Sequence, residues 1–331
     1  MPICTTDFNP TLPFKNRHFN TMYRPLFQKE KSQYARERIF TWDHDFIDLD
    51  FSKVNSNTLA VLIHGLEGSS ESKYMVSTAN ELNAKSIDTV AFNLRGCSGE
   101  DNLLLGTYHS GKTEDVHFVI NHLLENYDYE NLVIIGFSLG GNLTLKYMGE
   151  FADEISPKIK GAIATSVPID IASSQQEMDK LKNKLYIEEF LKTIRLKVLE
   201  KSYKFPEFEL DKEKLFKASR FKHLEHLYTV PVFGFESPED YWQKASSKPY
   251  LSKINRPTLL INAEDDSFLA KECFPYEEAG DSDVFFLEVT KYGGHVGFIS
   301  SFKQHESRWL EKRISRFIEE HIQIDIEQTI S

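Results

Sequence analysis

A chain of 331 residues, 40% hydrophobic and 27% charged, is long enough for one large core with an excursion from it and too apolar for a disordered or fibrous chain. A formal charge of −11 excludes a general affinity for nucleic acid, which needs a clustered excess of Lys and Arg against phosphate. Three scattered cysteines, Cys4, Cys97 and Cys273, indicate neither a disulfide framework nor a cysteine zinc site, and no apolar run has the length of a signal peptide or membrane span, so a reducing, cytoplasmic setting is expected.

In chain order, RIFTWDHDFIDLDF at 38–51 alternates apolar and polar residues and predicts an antiparallel edge pair. LAVLI (59–63), TVAFN (89–93), LVIIGF (132–137) and GAIATSV (161–167) are near-continuous apolar runs, the mark of strands covered on both faces in a parallel sheet. Helical patterns at 71–84, 112–126 and 139–151 separate them, so strand and helix alternate and the class is α/β. From about Pro168 to Pro249 strands vanish. Ile187, Phe190, Leu191, Ile194 and Val198 fall there at helical spacing. Residues 180–225 hold 13 Lys or Arg against 8 Asp or Glu, a local excess of five positive charges. Strands resume at TLLIN (258–262) and VFFLEV (284–289), a helix follows at 302–321, and a polar, frayed tail follows Ile322. The expected organisation is a core of 1–167 and 250–331 with a helical lid or cap insertion at 168–249.

LVIIGF runs into GFSLG, a match to G-x-S-x-G at the end of a strand and the start of a helix. Glycines flank Ser138 because the turn is too sharp for side chains two residues away on either side. A serine hydroxyl needs a base to take its proton and a third group to orient that base. TLLIN leads into Glu264, Asp265 and Asp266, and VFFLEV into TKYGGHVGF, which supplies His295; acid and histidine thus follow the serine on late strands. The oxyanion formed by attack on a carbonyl would meet backbone donors, the N–H of Leu139 after the serine and that of Leu66 in HGLEG. His64 in that loop is expected to bond the neighbouring backbone rather than act as the base. His223 and His226 in FKHLEHL lack the further ligand and Glu of a zinc site and are expected on the face of a helix, NLRGCSGE lacks a nucleotide-binding pattern, and Cys97 is a small residue for burial.

Taken together, HGLEG (64–68), NLRGCSGE (93–100), TYHSGKTED (107–115), GFSLGGN (136–142), NAEDDSFL (262–269) and GGHVGFI (293–299) resemble the α/β-hydrolase superfamily and its YheT-like branch, as does the N-terminal NRHFNTMY (16–23). The resemblance implies a mostly parallel twisted sheet flanked by helices and a triad of Ser138, Asp266 and His295, with Asp265 the alternative acid. It departs at Ser267, where many relatives have proline, and through 168–249, which matches loosely. It also implies hydrolysis of short- to medium-chain carboxylic esters or acylglycerols through an acyl-serine, with a small-molecule substrate and neither metal nor organic cofactor. The alternatives are an acyltransferase passing the acyl group to an alcohol or thiol, and a non-catalytic binding protein on a retained scaffold. The positive insertion, with its apolar stripe, suggests contact with anionic lipid or an acidic acyl carrier.

Overall fold

The apolar runs become strands. β1 (Ile3–Cys4), β2 (Ala35–Phe40), β3 (Phe46–Ser52), β4 (Thr58–Ile63), β5 (Asp88–Asn93), β6 (Asn131–Phe137), β7 (Ile159–Thr165), β8 (Thr258–Ala263) and β9 (Phe285–Thr290) form one sheet in the computed structural model, which describes residues 2–303 and 308–322. Their order across the sheet is β1-β9-β8-β7-β6-β4-β5-β3-β2. Every residue of β4, β5, β6 and β8 is buried, as strands covered by helices on both faces must be. β3 runs antiparallel to β2 and β5, and all other neighbours are parallel, so the expected α/β sheet with an antiparallel edge pair is observed. At that edge Arg36 and Arg38 each grip a carboxylate of β3, Asp50 and Asp48, with paired bonds of 2.7 to 2.8 Å, and so line the open edge with charge.

Helices α1 (Arg17–Phe27), α2 (Lys73–Ala84), α3 (Thr113–Asn126), α4 (Leu139–Glu150), α5 (Ile171–Met178) and α6 (Lys184–Lys204) follow in order, with α2, α3 and α4 matching the expected helices to within two residues. Between β7 and β8 the chain forms helices joined by short connections, with no strand among its described residues, and has its own apolar cluster, in which Ile187, Leu191 and Val198 of the sequence stripe meet Leu215, Phe221 and Leu224. None of the described helices is long and apolar enough to cross a membrane.

Among the elements not anticipated from the sequence are β1 and α1, and one expected helix is shorter. The C-terminal helix spans Trp309–His321 rather than 302–321, and Phe302, outside it, packs edge-on against Phe14 and Tyr23. Residues 304–307 and the tail after Ile322 lie outside the described residues.

α1 is held by a buried polar knot. Arg24 pairs with Glu311 of the C-terminal helix at 2.5 and 3.2 Å, donates to Ser77 of α2 at 3.1 Å, and gives its Nε–H to the Gly297 carbonyl at 2.7 Å. Burial alone would push the Glu311 carboxyl up, but the Arg24 charge and the hydrogen bonds from Arg24 and Ser77 overcome it and hold the carboxyl below its ordinary range. A carboxyl depressed in the folded state adds stability above its unfolded range, and that stability is lost as the pH falls through the folded value. Glu311→Gln, which strands a buried guanidinium, is therefore expected to lower the unfolding free energy by about 3–5 kcal/mol. Urea denaturation at pH 7 measures the loss, which should shrink as the pH is lowered below 4.

Candidate active site

β6 ends at Phe137, and Ser138 follows with φ 54° and ψ −118° before α4 begins at Leu139. This strained conformation is the turn expected of GFSLG. A Cβ on Gly136 would stand 2.3 Å from the Gly140 carbonyl oxygen, and one on Gly140 would stand 2.3 Å from that of Ile63, so both positions exclude any side chain. The Ser138 N–H is fixed by the Thr165 carbonyl at 2.8 Å, and its hydroxyl projects from the sheet at the N-terminus of α4.

The loops after β8 and β9 bring the other two candidates to it. His295 Nε2 lies 2.8 Å from Ser138 Oγ, and Nδ1 lies 2.9 Å from Asp266 Oδ2. Asp266 is buried, and its second oxygen accepts the Phe268 N–H at 2.9 Å. Asp265 faces elsewhere: its Oδ1 accepts the Gly294 N–H at 2.9 Å. Burial, reinforced by the neighbouring Asp266 charge and opposed by that N–H, pushes the Asp265 carboxyl up to about 6. Carboxylate, imidazole and hydroxyl thus form one relay, able to orient the ring and to take the serine proton.

α1 clamps the histidine loop, which is why it belongs to the site. Thr21 accepts the His295 N–H at 2.9 Å, Asn20 takes the Ile299 N–H at 3.0 Å, and Arg24 holds Gly297 as described. Gly294 adopts φ +59°, and a Cβ there would meet the Arg17 carbonyl at 2.5 Å. From the other side Ser166 accepts the Val296 N–H at 2.9 Å.

The loop after β4 adjoins the serine, since a Cβ on Gly65 would stand 3.0 Å from that of Ser138. His64 Nε2 accepts the Leu94 N–H at 3.1 Å, so Nδ1 carries the proton and donates to the Gly65 carbonyl at 2.7 Å; burial pulls the ring down to about 4 and keeps it neutral. The amides of Gly65 and Glu67 donate to the hydroxyls of Tyr74 and Tyr108, both at 2.9 Å. Those of Gly68 and Ser69 bond the Gly65 carbonyl and Ser72, both at 3.0 Å. Among the described residues Leu66 alone in this turn has an amide with no acceptor, and it shares the cavity wall with Ser138 and Leu139. The two tyrosines that fix the turn were invisible to sequence reasoning, because each reaches it from a different element.

The serine opens on a cavity of about 590 Å³ with a mostly apolar wall, including Phe190 and Phe221 from the stretch between β7 and β8. α6 is tied to the turn beneath it: Lys197 lies 2.9 Å from the Glu67 carboxylate, which also accepts from Tyr108 at 2.7 Å. His223 and His226 are exposed, as expected of a helix face, but Glu225 between them is buried in the cavity wall, a placement the sequence did not signal. Cys97 is buried, and desolvation pushes its thiol up to about 12. Among the described residues no three His, Cys, Asp or Glu side chains are grouped as metal ligands are.

A family model described as alpha/beta hydrolase fold matches residues 58–299. A protein of Escherichia coli (strain K12) named as a candidate esterase, YheT, is 29% identical over 325 residues, covering 96% of this chain and 95% of its own. Phospholipase ABHD3 of Homo sapiens is 28% identical over 331 residues, covering 96% of this chain and 80% of its own. Among solved structures, the Pyrococcus furiosus esterase Pf2001 superposes with a TM-score of 0.58 at 18% identity, over 88% of this chain and 94% of that one, a likeness of fold.

Proposed function

The chain belongs to the α/β-hydrolase fold family, and from that premise we propose that it is a serine hydrolase of carboxylic esters, acting on short- to medium-chain acyl esters or acylglycerols. The observation that carries this reading is the Asp266, His295 and Ser138 relay, with links of 2.9 and 2.8 Å, opening on an apolar cavity. The relatives named as esterase and phospholipase support ester cleavage. Ser138 Oγ attacks the ester carbonyl as His295 Nε2 takes its proton, and Asp266 steadies the imidazolium. The free amide of Leu66 and that of Leu139, at the first turn of α4, receive the oxyanion. His295 then returns the proton to the departing alcohol, and water, activated by the same ring, frees the acid. The helical stretch 168–249 serves as the cap that supplies part of the substrate-binding wall, with apolar Phe190 and Phe221 available to the acyl chain. Most of its lysines and arginines are paired with carboxylates, which favours a small-molecule substrate over a charged surface.

A panel of p-nitrophenyl esters from acetate to hexadecanoate, with fluorophosphonate labelling of the purified protein, tests this reading. Release of free acid from the shorter esters, even with glycerol added as acceptor, and one adduct on the peptide bearing Ser138 are expected. No turnover and no adduct would reject it.

A further inference from the structure

The cavity wall contains an acid that the chemistry above does not use. Glu225 opens the π-helical turn Glu225–Thr229, an irregularity that recurs at functional positions because it redirects side chains. The residue is 9% exposed and lines the cavity that contains Ser138. Its Oε2 accepts the Trp242 indole N–H at 2.8 Å, and its Oε1 accepts the Gln175 amide at 3.1 Å. Both donors are neutral. Lys222, one turn earlier, pairs with Glu239 instead. Nearby cavity hydroxyls are committed, that of Tyr228 to the Leu105 carbonyl and that of Tyr241 to Ser110. Phe221 and Leu224 complete an apolar surround.

The electrostatics follow from this packing. Burial pushes the Glu225 carboxyl up to about 8, with Asp179 and Glu239 adding to the effect and the Trp242 bond and Lys222 opposing it. Near neutral pH the side chain is therefore mostly uncharged. A neutral carboxyl held by two N–H donors still has one proton to give and lone pairs to accept with. A hydroxyl gives one bond and takes one, and so complements it. An ammonium group would need the ionised form that burial disfavours, and a phosphate would meet the negative field of Asp179 and Glu239.

We propose that Glu225 is a specificity-determining residue that hydrogen-bonds a free hydroxyl on the alcohol part of the ester, favouring polyol monoesters such as monoacylglycerols over esters of simple alcohols. This deepens the reading of Ser138 as an ester-cleaving nucleophile and rests on it. Selection is strong in such a setting because an ester without the hydroxyl leaves a buried polar group unpaired.

The test uses two esters matched in acyl chain and alcohol skeleton, 1-butyrylglycerol and propyl butyrate. The ratio of their kcat/KM values is measured for the wild type, Glu225→Leu and Glu225→Gln. The wild type is expected to favour the glyceryl ester by about tenfold or more. Glu225→Leu lowers that ratio by a similar factor, and Glu225→Gln, whose amide also gives and takes a hydrogen bond, restores most of it. A merely structural role would depress both esters together and leave the ratio in place. An unchanged ratio in Glu225→Leu overturns the proposal, as does a wild type with no preference, a result that needs no variant to fold. A preference for butyrylcholine over its neutral carbon isostere that depends on Glu225 also overturns it, in favour of a cation. Turnover of either ester that survives Ser138→Ala, or the absence of turnover of both esters in the wild type, overturns the reading of Ser138 as well.

Discussion

Ser138→Ala is expected to lower kcat/KM for p-nitrophenyl butyrate by about 10⁴-fold or more. At 1.36 kcal/mol per factor of ten, that is at least about 5 kcal/mol of transition-state stabilisation. The size of the loss follows from covalent catalysis. Without Oγ there is no acyl-enzyme, and what survives is binding in the cavity plus donors aimed at an oxyanion that must now form by direct attack of water. The fold should not suffer. The hydroxyl's hydrogen bond runs to His295, while the turn is held by the Ser138 N–H to Thr165 and by the closeness of Gly136 and Gly140 to their neighbours. Thermal unfolding should therefore match the wild type, which separates lost chemistry from lost structure. Retention of more than a tenth of the activity would overturn the nucleophile assignment.

The sheet was legible because its central strands are buried on both faces, which leaves a run such as LVIIGF little choice but apolar residues. The serine turn was legible because geometry forces glycine at 136 and 140, so steric exclusion is written directly into composition. α1 was not legible, since the contacts that place it are polar and long-range: Asn20, Thr21 and Arg24 bond residues 295–299, and such pairings leave no local period. Tyr74 and Tyr108 escaped for the same reason, acting on the Leu66 turn through hydroxyls from α2 and from the loop before α3. Glu225 was hidden between two exposed histidines, where a charged residue reads as solvated surface until the π turn carries it inward. What sequence conveyed was therefore the chemistry at strand ends. What it withheld was the scaffolding, and with it the side chains that choose the substrate.

The acid illustrates that division, because Asp265 and Asp266 are adjacent and only geometry distinguishes them. Asp266→Asn is expected to cost about 10⁴-fold in kcat, and Asp265→Asn less than about tenfold. The first figure follows from hydrogen-bond directions. In the wild type the Phe268 N–H occupies Asp266 Oδ1, and Oδ2 faces His295 Nδ1. An asparagine there must keep its carbonyl oxygen on the Phe268 N–H, which turns its NH₂ toward Nδ1. That nitrogen must then accept, the ring proton moves to Nε2, and the imidazole presents a donor to Ser138 where a base is required. Asp265→Asn meets no such conflict: its carbonyl oxygen still accepts the Gly294 N–H, and its NH₂ replaces Oδ2, a buried oxygen without a partner. Burial already holds the Asp265 carboxyl at about 6, so removing its charge at pH 8 relieves a penalty, and the melting temperature should stay level or rise. Both variants are assayed with p-nitrophenyl butyrate at pH 8 and melted in a calorimeter. If the large loss falls on Asp265→Asn while Asp266→Asn stays within tenfold of wild type, the acid is Asp265, and His295 must turn toward it during turnover.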